Sequence, residues 1–417
     1  MVKEKTPTSS VEAPAKPRKA PPQAAKTKPS IQHAANPSKS WGDLQADIAA
    51  GISDEEKRKA QQSAEAAGKL LTDYLHSALT TPNLVVLAGS GASLGKAGGP
   101  SMSDLWEQAK GHKDFAAVCS IVKHPDTDRW IENLLSRCRM AGQFLDQQNA
   151  TKVAAFLADA EQTIWKACSD FLKSANLESH QTFLRRMARR RLRAPRLKLF
   201  TTNYDICFET AAGNLGITVI DGFSYSQPRR FDPRYFNYDL VRRAKDSDEA
   251  HDFVEGVIQI LKLHGSVNWD QTDVGIVQAA KPSKPCLIYP TSTKYEQSYS
   301  EPHLELMAQF QAVLREPNTC LVTIGFGFND NHLSAPILAA VKSNPSFKLL
   351  VVDRSAKDKA QQSGVFQTLS ERIASGETDV ALLNAEFEQF ADLIPQLRAL
   401  SPAEQLERAV TQIARKT

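Results

Sequence analysis

The chain has no paired cysteines. Its six, Cys119, Cys138, Cys168, Cys207, Cys286 and Cys320, are scattered with no C-x-x-C among them. That argues against a zinc ribbon or a dithiol redox motif and fits thiols buried in a reducing compartment. No apolar run approaches the roughly 20 residues of a membrane span. The first residues carry no apolar stretch of the secretory type. A cytoplasmic protein with no membrane contact is the resulting expectation. The body also lacks net charge. Residues 1–40 hold Lys3, Lys5, Lys16, Arg18, Lys19, Lys26, Lys28 and Lys39 against Glu4 and Glu12, a balance of +6. The total is +4, so residues 41–417 come to −2. Such a body gives no charge argument for nucleic-acid binding.

What is present is a chain of 417 residues, 41% hydrophobic and 24% charged, enough to bury a sizeable core. Residues 1–40 are rich in Pro, Lys, Ala and Ser and are read as a disordered basic tail. A folded unit is expected over 41–400 and a closing helix over 401–417, opened by Ser401 and Glu404 as a capping box. Ser53 and Glu56 form a similar box and open a helix over 53–79. "LVVLAG" (84–89) reads as a buried strand. Residues 103–192 have apolar positions at three- and four-residue spacing and read as a helical insertion after that strand.

Strand-like runs then return: 197–203, 217–222, 258–265, 286–290, 319–327, 347–353 and 379–387. Several are continuously apolar, as strands covered on both faces are. Helical stretches at 303–315 and 331–343 fall between them. The fold class is therefore α/β: a doubly wound, mostly parallel, Rossmann-like sheet. Ligands of such sheets sit at the carboxyl ends of strands.

Four loops stand at those ends: "GSGAS" (89–93), "TTNYD" (201–205), "HGSVNW" (264–269) and "GFGFND" (325–330). The first is neither G-x-G-x-x-G, since Leu94 ends it, nor a P-loop, since no Gly-Lys-Ser/Thr follows. Its backbone N–H groups would suit a pyrophosphate, although a tight turn that only packs a helix on a strand reads the same. Asn203 and Asp205 suit a polar site or an Asx turn. His264 suits proton transfer or a structural role.

In this order the four loops resemble the successive NAD-binding motifs of the sirtuins, the silent information regulator family, over residues 84 to about 353. The chain departs from the protein deacylases of that family in two ways. It has no four-cysteine zinc site, and "GGPSMSDLW" (98–106) replaces their Pro-Asp-Phe-Arg stretch. It is more similar to sirtuin-like antiviral effectors, and most to the subunit paired with a HerA-type hexameric ATPase. "GITVIDGFS" (216–224), "LKLHGSVNW" (261–269), "LIYPTSTKY" (287–295) and "GFGFNDNHL" (325–333) carry that similarity.

The resemblance implies an NAD hydrolase that depletes the cofactor during phage infection, working as a homo-oligomer with the ATPase and without a metal. It implies Asn203 and His264 as catalytic residues. Gly89, Ser90, Gly91, Ala92, Ser93, Thr202 and Asp205 would lie along NAD, with Gly325, Gly327 and Asp330 beside them. Asp353 would accept from an adenosine ribose hydroxyl. The alternatives are a zinc-free deacylase, or an NAD-sensing or DNA-acting subunit of the same complex. The last has its support in "RRMARRRLRAPR" (185–196), with seven arginines in twelve residues.

Overall fold

The computed structural model describes residues 28–397 apart from 37–39, 47–52, 143, 189, 191–193, 244–251, 288–301 and 377–378. The closing helix expected over 401–417 and most of "LIYPTSTKY" lie outside the described residues. The strands, in chain order, are β1 (Ser30–His33), β2 (Gly42–Asp43), β3 (Asn83–Ala88), β4 (Leu197–Thr201), β5 (Thr218–Ile220), β6 (Val241–Arg242) and β7 (Asp252–Phe253). They continue with β8 (Val257–Lys262), β9 (Gly265–Thr272), β10 (Gly275–Gln278), β11 (Pro285–Leu287), β12 (Thr319–Ile324), β13 (Lys348–Asp353) and β14 (Asp379–Asn384).

Nine of these strands form one sheet, ordered β2-β1-β14-β13-β12-β3-β4-β8-β5. From β14 to β5 every pairing is parallel. The doubly wound expectation holds. The chain runs outward from β3 through β4 to β8 and then returns to β12 on the other flank of β3. Strand order therefore reverses between β3 and β12, the place where such sheets open a crevice.

Two expectations need correcting. The tail assigned to residues 1–40 contains β1, which is fully buried and pairs antiparallel with β14. "CLIYP" is not in the large sheet. Its described part, β11, pairs antiparallel with β9 in a separate three-stranded sheet.

The helices are α1 (Asp54–Leu79), α2 (Met102–Lys110), α3 (Phe115–Ile121), α4 (Ile131–Ala141), α5 (Gln147–Asp170), α6 (Glu178–Met187) and α7 (Cys207–Asn214). After them come α8 (His303–Arg315), α9 (Asn331–Ser343), α10 (Ala356–Lys359), α11 (Val365–Ser375) and α12 (Phe387–Leu393). Among the described residues, no helix is long and apolar enough to cross a membrane. Ser53 caps α1 as expected: its hydroxyl accepts the Glu56 N–H, and the Glu56 carboxylate accepts the Ser53 N–H.

Alternate residues of each parallel strand feed opposite cores, as the period of two requires. Leu84, Val86, Leu199, Ile260 and Val322 face α1, α6, α7 and α12. Val85, Leu87, Phe200, Leu261 and Leu321 face α8, α9 and α11. A third core lies inside the inserted helices α2–α5 and takes in Tyr204, Val267 and Leu287 from the strand-end region. The Trp165 Nε1–H donates to the Val267 carbonyl at 2.8 Å. The insertion is thereby a cap seated on the strand ends. α6 does not belong to it: Phe183, Leu184 and Met187 pack in the first core.

Three arginines of the arginine-rich stretch bond within the fold. Arg186 donates to the carbonyls of Ala391, Asp392 and Ile394, satisfying the end of α12. Arg190 donates to those of Leu79, Thr81 and Pro82 at and just beyond the end of α1. Arg196 forks onto Asp239 at 2.7–3.0 Å. These three guanidinium groups are committed to carbonyls and a carboxylate of their own chain.

Candidate active site

Each loop begins where a parallel strand ends, so the large sheet delivers them to one edge. Between that edge and the helical cap lies a cavity of about 410 Å³, within the roughly 300–1,000 Å³ typical of small-molecule sites. Gly89, Ser90, Ser93, Thr202, Asn203, Asp205, His264, Gly325, Gly327 and Asp330 all line it. Ten of the thirteen residues chosen from the sequence are thus brought together.

The polar centre is a relay. The Ser93 hydroxyl donates to the Asp205 Oδ2 at 2.7 Å, and the Asn203 Nδ2 donates to the Ser93 Oγ at 2.8 Å. Ser93 has a single proton and gives it to a carboxylate. Its lone pair therefore faces Asn203, which must present its NH2. The Asn203 Oδ1 is left as the acceptor for a water or a ribose hydroxyl. The three residues are buried, where a satisfied hydrogen-bond chain is rigid and strong.

Asp205, which lines the cavity, also ties the loop to its neighbours. Its Oδ1 accepts the Cys207 N–H at 3.0 Å and so opens α7. Its backbone carbonyl accepts from Lys262 Nζ. Lys262 also pairs with Glu209 at 3.3 Å. Burial pushes the Glu209 carboxyl up, and the Lys262 ammonium pulls it down. Lys262 and Glu209 were not singled out from the sequence. The available signal was a lysine inside the apolar run "IQILKL", because buried lysines are rare unless paired.

His264 Nε2 lies 3.2 Å from Asp330 Oδ2, with both side chains about nine-tenths buried. Asp330 also caps α9, its Oδ1 accepting the His332 N–H at 3.0 Å. The sequence placed Asp330 on the nucleotide. In the structure Asp330 lines the cavity and is also the partner of His264.

The glycines pack on one another. The Gly89 N–H donates to the Ile324 carbonyl at 2.9 Å, and the Gly91 N–H to the Gly325 carbonyl at 3.1 Å. The loop after β3 is thereby clasped to the loop after β12 at the switch point. Gly91 and Ala92 do not line the cavity; Ala92 is core.

Asp353 is not brought to the site either. Its carboxylate accepts the Ser355 N–H at 2.8 Å and pairs with Lys359 at 2.7 Å. An Asp353→Ala protein is therefore expected to bind NAD, the ligand the sequence resemblance implies, with an affinity within about twofold of wild type while melting at a lower temperature. Isothermal titration and a thermal melt check both, and a tenfold loss of affinity would restore the ribose assignment.

The cap supplies a wall that was not read from the sequence: Met102, Leu105, Trp130, Glu132, Asn133, Cys168 and Phe171. Ser101 positions its first helix by a capping box with Asp104. Burial, and then the Asp205 charge, push the Cys168 thiol up to about 12, which disfavours the thiolate. Among the described residues, no group of three or more His, Cys, Asp or Glu side chains is placed to hold a metal.

Residues 197–373 match the family model described as a SIR2-like domain. No curated protein matches the chain. Among solved structures, one titled "Crystal structure of Sir2 in complex with the inhibitor EX-527, 2'-O-acetyl-ADP-ribose and deacetylated p53-peptide" shares 12% identity. It covers 78% of this chain and 96% of that one, with a TM-score of 0.38. A second, titled "Structural Basis for the Mechanism and Regulation of Sir2 Enzymes", gives 12% identity, the same coverage and a TM-score of 0.36. Asn203, His264 and the Gly325 turn thus lie inside the span, 197–373, that matches a SIR2-like domain.

Proposed function

We propose that the cavity binds NAD and that the protein hydrolyses it to nicotinamide and ADP-ribose. The observation that carries this reading is the placement of Asn203 and His264. They line one cavity, and each is held from behind through a carboxylate, Asn203 by way of Ser93 and Asp205 and His264 by Asp330. Cleavage of the nicotinamide–ribose bond sends its electron pair to nicotinamide and leaves oxocarbenium character on the ribose carbon. Water then forms the new C–O bond and loses a proton.

Asn203 Oδ1 fits the role of orienting that water or a ribose hydroxyl. The His264 ring, paired with Asp330, fits the role of proton acceptor from a hydroxyl or from the water. Ser90, Gly325 and Gly327 offer backbone at the switch point, where a pyrophosphate is accommodated in folds of this kind.

The wider role proposed is that of an antiviral effector acting as a homo-oligomer with a HerA-type ATPase. Its support is the sequence resemblance alone. One experiment tests the reaction. Purified protein is incubated with NAD, with and without the ATPase, and nicotinamide and ADP-ribose are followed. The expected result is their release in equal amounts. NAD that survives in both arms would sink the proposal. Product formation only with an acylated peptide, as an acyl ester of ADP-ribose, would install the deacylase in its place.

A further inference from the structure

The cap carries tryptophans with different fates. Trp106 is buried in the cap core, and Trp165 packs against that core and donates to the Val267 carbonyl. Trp130 joins neither this core nor the other two. It is 44% exposed and lines the cavity. Among the described residues, no aromatic ring packs against it. A large indole left half in water is unusual, and a ligand-binding groove is one of the places where it recurs.

Its backbone is nonetheless fixed. The Trp130 N–H donates to Asp128 Oδ1 at 3.0 Å, and Asn133 Nδ2 donates to the Asp128 Oδ2 at 3.0 Å. The Asp128 carbonyl faces His124 Nε2 at 2.8 Å. The Trp130 carbonyl accepts the N–H groups of Asn133 and Leu134 as α4 begins. This small scaffold holds the indole at the cavity wall, where no described aromatic ring covers it.

We infer that Trp130 is a substrate-stacking residue, whose indole face covers a heteroaromatic base of the dinucleotide when it occupies the cavity. This rests on the NAD reading above. The cap then takes part in recognition, and the sheet edge supplies the reacting groups. A stacked base is worth roughly 1–3 kcal/mol by alanine substitution, so loss of the indole is expected to weaken binding about tenfold or more.

The test uses the full chain. Trp130→Ala and Trp130→Phe are titrated with NAD by calorimetry, and KM and kcat are measured where turnover is seen. The expected result for Trp130→Ala is a Kd and KM raised about tenfold or more, with kcat within about threefold and an unchanged melting temperature. Trp130→Phe should recover most of the affinity. NAD should quench the intrinsic fluorescence of the wild type, and the Trp130→Phe protein should lose that quenching.

Titration with ADP-ribose and with nicotinamide mononucleotide identifies the stacked ring, and quenching by neither overturns the assignment. A Trp130→Ala protein with wild-type Kd, beside a wild type that binds NAD, overturns the stacking and leaves the NAD reading intact. A wild type that neither binds nor cleaves NAD overturns both. Equal loss in both variants, with a lowered melting temperature, assigns Trp130 to the fold instead.

Discussion

Replacing Asn203 or His264 by alanine is expected to lower NAD cleavage by roughly 10²–10⁴-fold, the range for a lost general base or a misplaced reacting group. The fold should survive. The Asn203 side chain has Ser93 as its hydrogen-bond partner, and Ser93 keeps its stronger bond to Asp205 without it. Loss of His264 removes its contact with Asp330, whose other oxygen still caps α9.

Two subtler variants separate chemistry from packing. Asn203→Asp preserves shape but has no proton to give to Ser93 Oγ. It would set a second carboxylate beside Asp205, so it is expected to be as inactive as the alanine variant. Asp330→Asn keeps a side chain beside His264 without the charge that holds the ring, and is expected to lose activity while retaining NAD binding. The double variant Asn203→Ala/His264→Ala should lose little more than either single one, because groups that act as a unit are not additive. Nicotinamide release checks the activities, and calorimetry with a thermal melt checks binding and fold. Normal turnover by both single variants would remove the proposed mechanism.

Much of the fold was legible because its strands carry a strong signal. Runs such as "CLVTI" and "LLVV" are almost continuously apolar, as strands covered on both faces are. The helices at His303–Arg315 and Asn331–Ser343 occupy the spans read from the sequence. Strand β1 was hidden. "SIQH" is four residues long and sits beside a Pro- and Lys-rich stretch, and its partner β14 lies some 350 positions away. No local pattern announces such a pairing.

The β9–β10 hairpin was hidden for a different reason. Its inward residues Val267, Trp269 and Ile276 are spread among polar ones, and the run reads as loop. At the site, residue types that imply chemistry at strand ends were readable, and Asn203 and His264 stand there. Partnerships were not. That Asp330 holds His264, or that Ser93 links Asn203 to Asp205, depends on strands far apart in sequence. The cap residues facing the cavity were also missed, because helical periodicity reports the face that packs and says nothing of the face that meets a ligand.

A single methyl group on Gly325 is expected to be among the most damaging changes the chain can receive. Gly325 has φ +57°, a conformation that costs a residue with a Cβ about 1–2 kcal/mol. The methyl would also stand 2.4 Å from the Gly91 Cα and 2.7 Å from its carbonyl carbon. These are backbone atoms that no rotamer change can move. Gly91 is in turn held by its own N–H bond to the Gly325 carbonyl, and Gly89 by its bond to Ile324. Relief of the clash therefore means parting the two loops at the switch point. Strain and overpacking together point to a loss of about 3 kcal/mol or more.

The effect should be local before it is global. β3 and β12 remain paired along their whole length behind the turn, so the sheet is expected to form while the cavity edge is displaced. Gly325→Ala should then show a lowered urea midpoint, retained secondary structure by circular dichroism, and NAD cleavage reduced at least as far as in His264→Ala. Gly327→Ala provides the internal control for stability, read by the urea midpoint. Its added methyl would meet only the Asn329 side chain, at 3.1 Å, and a side chain can yield. Comparable damage from both substitutions would show that the loop is intolerant in general. Damage from Gly325→Ala alone would trace the site's shape to the glycine clasp between β3 and β12.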